Sequence, residues 1–164
     1  MGVFGTDLTG KVLVITGAGG VICGSLAHTL AKAGAKVALL DLNLEAAQAQ
    51  ADAITADGFT AKGYKCNVLE KESLEEVHAE ILKDFGPCDI LVNGAGGNNA
   101  RANTTKEYFE IGDIEGDTVS FFDLDQKGVE FVFNLNFIGT LLPSQVFAKD
   151  MIGREGCNIL NISS

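Results

Sequence analysis

Four short apolar runs most constrain what this chain can fold into: KVLVIT (11–16), KVALLD (36–41), DILVN (89–93) and NILNIS (158–163). A fifth, more mixed run, TAKGYKC (60–66), falls between the second and third of these and also reads as a strand. Strands that are apolar almost throughout belong to sheets covered on both faces. Helical segments separate them. Residues 22–33 carry Ile22, Leu26 and Leu30 at helical spacing and stop at Gly34, and the Ala-rich segment 44–56 stops at Asp57-Gly58. Residues 73–85 set Leu74, Val77 and Ile81 on one face, and 129–151 read as one long apolar helix. Alternating strands and helices predict an α/β fold, a doubly wound parallel sheet with ligands at the carboxyl ends of its strands. Only the polar stretch 98–128 lacks periodicity.

The 164 residues, 46% hydrophobic and 21% charged, suffice for one core. A net charge of −10 excludes nucleic acid and an anionic membrane surface as partners. It does not exclude an anionic cofactor, which backbone N–H groups at a helix start can hold locally. Cys23, Cys66, Cys88 and Cys157 are widely spaced and read as reduced thiols. No basic segment precedes an apolar run at the N-terminus, and no uncharged apolar stretch of about 18 residues is evident. A soluble, cytoplasmic protein is expected. His28 and His78 lie on helices with no acidic or Cys partners arranged around them, so no metal site is expected. The acidic segment 70–80 reads as a solvated helix face.

The turn after the first strand, Thr16-Gly17-Ala18-Gly19-Gly20-Val21-Ile22-Cys23-Gly24, half-matches a dinucleotide fingerprint. G-x-G-x-x-G fits Gly17 and Gly19 but meets Ile22 at its third glycine. A plain strand-to-helix corner is the alternative. Asp41 ends the second strand, where an acid bonds ribose hydroxyls; it can also cap the following helix, a role open to Asn43.

Four signals in register, Thr16-Gly17 after strand one, Asp41 after strand two, Asn93-Gly94-Ala95-Gly96 after strand four and Asn-Ile-Ser-Ser at 161–164, resemble the N-terminal part of a short-chain dehydrogenase/reductase. TGAGGVIC, FGPCDILVNGAGGN, FFDLD, LNFIGTLLPSQVFAKDM and NILNISS look like its D-mannonate oxidoreductase (fructuronate reductase) branch. The resemblance implies a Rossmann-type domain over 1–164, truncated after the fifth strand, with NAD as cofactor. It assigns cofactor contacts to Thr16, Gly17, Gly19, Gly20, Val21, Ile22, Asp41, Asn67, Val68, Asn93, Gly94, Ala95 and Gly96. It assigns catalytic roles to Asn136, marked by Gly139 at the family spacing, and to Ser164, which would bond the reacting carbonyl.

This chain departs from the family pattern at several places. The pattern Thr-Gly-x-x-x-Gly-x-Gly has Val21 and Cys23 at its last two glycines. Asn-Asn-Ala-Gly has Gly94 at its second Asn, and Asn67 stands where Asp is usual. The family's acid/base pair, Tyr-x-x-x-Lys, follows the serine. Tyr64 and Tyr108 have Val68 and Gly112 at that spacing, so neither substitutes, and the chain reads as part of an enzyme whose hydride chemistry needs more than it contains. A noncatalytic dinucleotide-binding module is the other reading.

NAD is expected over NADP because Asp41 would repel a 2′-phosphate, with no Arg or Lys within 18–23 or at Leu42 to neutralise one. The surplus length of 98–128 is expected to wall the substrate side, with Arg101 as a carboxylate clamp for a small-molecule sugar acid. Lys106 is the runner-up, and a solvated surface Arg is the alternative. A polyol or gluconate-type substrate stays open, and the resemblance implies a homo-oligomer.

Overall fold

The computed structural model describes residues 5–163, which build a five-stranded, all-parallel sheet of order β3-β2-β1-β4-β5. The strands are β1 (Val12–Thr16), β2 (Lys36–Asp41), β3 (Ala61–Lys65), β4 (Ile90–Asn93) and β5 (Asn158–Asn161). Helices α1 (Val21–Lys32) and α2 (Leu44–Ala56) cover one face; α3 (Lys71–Asp84) and, after α4 (Gln126–Phe133), α5 (Gly139–Phe147) cover the other. The continuous apolar runs follow from this. Leu13 and Ile15 pack towards α1 and α2, while Val12 and Val14 between them pack towards α3 and α5. Each fully buried Leu of β2 is worth about 1.5–3 kcal/mol on either side.

Turn chemistry set the boundaries as expected. Gly34 and Gly58 adopt positive φ (103° and 89°) just past α1 and α2. Asn43 caps α2, its Oδ1 accepting the Ala46 N–H at 3.3 Å.

The expected uninterrupted helix over 129–151 is instead a composite. It runs as α4 (Gln126–Phe133), a π turn (Asn134–Ile138), α5 (Gly139–Phe147) and a 3-10 turn (Ala148–Met151). Asp125 caps its start by accepting the Gly128 N–H at 2.8 Å. Pro143 supplies no N–H to the preceding turn and crowds the carbonyl four residues back. The hydroxyls of Thr140 and Ser144 bond the carbonyls of Asn136 and Thr140, loosening the ladder further. The run also corrects the expectation that no stretch is long and apolar enough to span a membrane: by length and composition Gln126–Met151 qualifies. Its α5 part packs against β4 and α3, with Val146 and Phe147 in the core.

Segment 98–128 is irregular but not featureless. It holds three 3-10 turns, Ala100–Ala102, Ile111–Ile114 and Phe121–Asp123, the last two closed by capping boxes from Glu110 and Ser120.

At the amino ends of the strands, buried Asp89 accepts the Val12 N–H (2.8 Å), the Lys11 ammonium (3.2 Å) and the Arg154 guanidinium (2.6 Å). Arg154 thus sits at the end of the sheet away from the ligand side. Both histidines have acidic partners, contrary to expectation: His28 Nε2 lies 2.8 Å from Asp57, and His78 Nε2 lies 2.9 Å from both oxygens of Asp150. They tie elements together; among the described residues no cluster fit for a metal forms. All four cysteines are free, and burial pushes the thiols of Cys66 and Cys88 up to about 11 and about 12.

Candidate functional site

From β1 the chain crosses to β2 on one side, while β4 lies on the other, so strand order reverses beside β1. A crevice opens at the carboxyl end of such a switch point. Here its walls are the turn after β1 and the turn after β4.

Thr16 joins the two turns. It is fully buried, and its Oγ1 accepts the N–H groups of Gly94 and Ala95, both at 3.1 Å. Gly17 sits at φ +67°, where a Cβ would lie 2.8 Å from the Gly94 carbonyl oxygen. Only glycine combines that backbone with that approach. A Cβ on Gly19 would lie 2.7 Å from the Ala46 Cβ, so the first turn is pressed onto α2.

Asp41 is bound into this turn. Its Oδ2 accepts the Gly19 N–H and its Oδ1 the Asn43 N–H, each at 2.9 Å. Each carboxylate oxygen keeps a further lone pair for a ribose hydroxyl. Asn43 caps α2, so the Asp41 carboxylate is held against the first turn, outside the residues that line the large cleft.

Gly20 is the N-cap of helix α1. Among the described residues no side chain caps it, and its first turn carries no acid. Its first N–H groups have no intrahelical acceptors, and the positive end of the dipole lies there, which suits a diphosphate. Val21 and Ile22 stand 87% and 71% exposed on that turn.

The cleft holds about 780 Å³ and is lined by Ile22, residues 94–98, Asn136, Thr140 and Ser163, among others. Asn136 holds its far wall. Its Oδ1 accepts the Gly97 N–H (3.0 Å), and its Nδ2 donates to the carbonyls of Gly97 (2.8 Å) and Val132 (2.9 Å). A Cβ on Gly96 would meet that Oδ1 at 2.7 Å. Asn93 is buried beneath, its Nδ2 donating to Ser144 Oγ and Asn161 Oδ1, both at 2.9 Å. Thr16 and Asn93 therefore shape the site from below.

Asn67 turns its Oδ1 to the Leu69 N–H (3.1 Å), and Val68 is buried against Gly139, whose missing Cβ would come within 3.1 Å of it. Arg101 is not brought into the cleft wall. Its guanidinium is largely exposed, 3.7 Å from Asp125 at the head of α4. Lys106 is engaged by Asp113 (2.8 Å) and Glu110 (2.9 Å). Ser164 lies outside the described residues. Asn161 and Ser163, quoted in the Asn-Ile-Ser-Ser signal without a role, line the cleft, and so does Thr140, which was not singled out but was legible as the residue one turn beyond Asn136.

The short chain dehydrogenase family profile matches residues 11–164, and the chain belongs to that family. It is 57% identical over 158 residues to an uncharacterized oxidoreductase of Haemophilus influenzae, and 44% identical over 158 residues to the uncharacterized oxidoreductase UxuB of Bacillus subtilis. Each alignment covers 96% of this chain and 55% or 56% of the relative, so the chain spans little more than half of their length. A crystal structure of a candidate D-mannonate oxidoreductase from Haemophilus, with NAD bound, superposes with a TM-score of 0.92 at 56% identity, covering 96% of this chain and 56% of that one. The uncapped helix start, the glycine cradle and the carboxylate bound to the first turn fit a dinucleotide.

Proposed function

We propose that this chain carries the NAD-binding part of a cytoplasmic oxidoreductase that interconverts a secondary alcohol and a ketone on a sugar acid of the D-mannonate/D-fructuronate type. The observation that carries the cofactor assignment is the Asp41 carboxylate, tied to Gly19 beside an uncapped helix start with no cation within 18–23. Bound NAD supplies the hydride acceptor, or as NADH the donor. The N–H groups at the start of α1 hold the diphosphate, with Gly17, Gly19, Gly20, Val21 and Ile22 forming the turn. Asp41 accepts the ribose hydroxyls. Asn67 and Val68 flank the adenine side, and Gly94, Ala95 and Gly96 close the cleft opposite. Asn136 fixes that wall through Gly97, and Ser164 takes the family role of hydrogen-bonding the substrate carbonyl. The likeness to the NAD-bound Haemophilus structure supports the sugar acid.

A sugar acid needs a cation in an acidic protein. Arg101, which lies outside the cleft wall here, would fill that role by leaving its long 3.7 Å contact with Asp125 for a bidentate carboxylate. The exposed Phe131, Phe133 and Phe137 on α4 and the π turn suit contact with a second copy.

Titration of the protein as encoded with NAD and NADP tests the cofactor, and undetectable NAD binding rejects this reading. Turnover of D-mannonate against a neutral polyol tests the substrate. Arg101→Ala should lower kcat/KM for the acid alone, on the order of tenfold to a hundredfold for a lost charged hydrogen-bond pair. Equal losses on both substrates remove the clamp, and a preferred polyol or gluconate replaces the sugar acid.

A further inference from the structure

Two departures from the family pattern, far apart in sequence, meet in space. Cys23 stands where the pattern has glycine, and Gly94 stands where it has asparagine. A Cβ built on Gly94 falls onto the Cys23 Sγ, closer than any non-bonded contact allows. Its next neighbours would be the Thr16 carbonyl oxygen at 3.0 Å and Ile162 Cδ1 at 3.7 Å. The thiol therefore occupies the volume that a residue-94 side chain would claim.

We propose that Cys23 and Gly94 are a size-matched positioning pair: the thiol on the first turn of α1 fills the gap left above Gly94, and so holds the diphosphate turn and the β4 turn at their working separation. The pair sits at the joint that sets this separation. Thr16 Oγ1 holds the N–H groups of Gly94 and Ala95, and the Gly94 carbonyl lies against Gly17. A group that displaces Gly94 also displaces Gly17, and with it the turn that leads into the α1 start. Cys23 is 5% exposed. Burial, reinforced by the charge of Asp41, raises its thiol above the ordinary range, so it packs as a small neutral group rather than as a nucleophile.

The inference rests on the proposed dinucleotide site, and a double-mutant cycle read by calorimetric binding of NAD, ADP and adenosine separates the two. Gly94→Asn alone should weaken NAD on the order of a hundredfold, because two side chains compete for one volume. Cys23→Gly alone should weaken it about tenfold through the void left behind. The Cys23→Gly/Gly94→Asn double variant, which restores the family pair, should return to within about threefold of the parent, a rescue that independent sites cannot produce. ADP should follow NAD, while adenosine, which makes no diphosphate contact, should hold its affinity throughout; a general loss of fold would move all three. If Gly94→Asn fails to fold, Gly94→Ala compared in the Cys23 and Cys23→Gly backgrounds reads the same coupling. Losses that simply multiply overturn the pairing and leave the cofactor standing. A parent protein that binds neither NAD nor ADP overturns both.

Discussion

Replacing Asp41 should change which cofactor the protein prefers, by an amount that follows from its surroundings. The carboxylate is half-exposed, and its two oxygens accept separate backbone N–H groups, from Gly19 and Asn43. For NAD, Asp41→Ala removes hydrogen bonds between a charged group and the ribose hydroxyls. These are worth about 1.5–3 kcal/mol, with the lower end apt for a solvated site. For NADP the same change removes repulsion. A 2′-phosphate carries about −1.5 to −2 charges. At about 4 Å each unit costs about 1 kcal/mol in water and about 4 kcal/mol at an effective dielectric of 20, so the whole phosphate costs about 1.5–2 kcal/mol at the water limit and about 2–3 kcal/mol beside a carboxylate a little less solvated than that. Together the preference for NAD over NADP should shift by about 4 kcal/mol, on the order of a thousandfold.

Asp41→Asn separates charge from turn-holding. The amide offers one acceptor where two backbone donors converge, so either the Gly19 or the Asn43 N–H must face an NH2 group. That variant should loosen the first turn more than its charge change implies, visible as faster amide exchange at Gly19. The assay is titration of both cofactors at about 0.15 M salt, where the Debye length of about 8 Å leaves a contact pair largely unscreened. The reasoning is refuted if Asp41→Ala weakens NAD while the NAD-to-NADP ratio stays fixed. Asp41 would then tie the turn without reading the ribose.

Two further outcomes concern what holds the site in place. Asp89→Ala should destabilise the protein by about 2–3 kcal/mol, chiefly by stranding the buried Val12 N–H, which lowers Tm by roughly 5–10 °C in a chain of this size. Burial by itself would raise the Asp89 carboxyl, but the Val12 N–H, Lys11 and Arg154 outweigh it and hold it below the usual carboxylate range. Its contribution is thus complete above the unfolded value of about 3.9 and lost as pH falls through the lower folded value. Urea melts from pH 6 to about 2 should show this share of acid sensitivity in the parent but not in Asp89→Asn; parallel curves would contradict it. Asn136→Ala should speed Gly97 amide exchange about tenfold and weaken NAD several-fold, since three exposed hydrogen bonds of a few tenths of a kcal/mol each are lost. Unchanged exchange at Gly97 would show that the side chain does not hold the wall.

What was legible in the sequence was what local pattern encodes. Apolar strands such as 11–16 announced a sheet covered on both faces because neighbouring residues of one strand enter opposite cores. Gly34 and Gly58 announced helix ends because their backbone conformation restricts other residues. The π turn was not legible, because one extra residue in a turn barely disturbs a 3.6-residue pattern over 129–151; its trace is Gly139 and Pro143 closely following Asn136. Nor were the histidine partners, which lie 29 and 72 residues away in sequence. Lys106 pairs with Glu110 and Asp113, close in sequence, but in a segment without helical periodicity that left the pairing unreadable.

The choice between two roles for Asp41 also needed coordinates. In sequence both Asp41 and Asn43 can cap α2, and the Asn43 contact to Ala46 shows that Asn43 does so while Asp41 holds the first turn. Cys23 and Gly94 carry the same lesson further. Read one at a time, each weakens the match to the family's glycine and asparagine pattern. Placed in the fold, a side chain gained on α1 occupies the space of a side chain lost after β4. A motif scored position by position penalises such an exchange twice, although its two halves offset one another in volume.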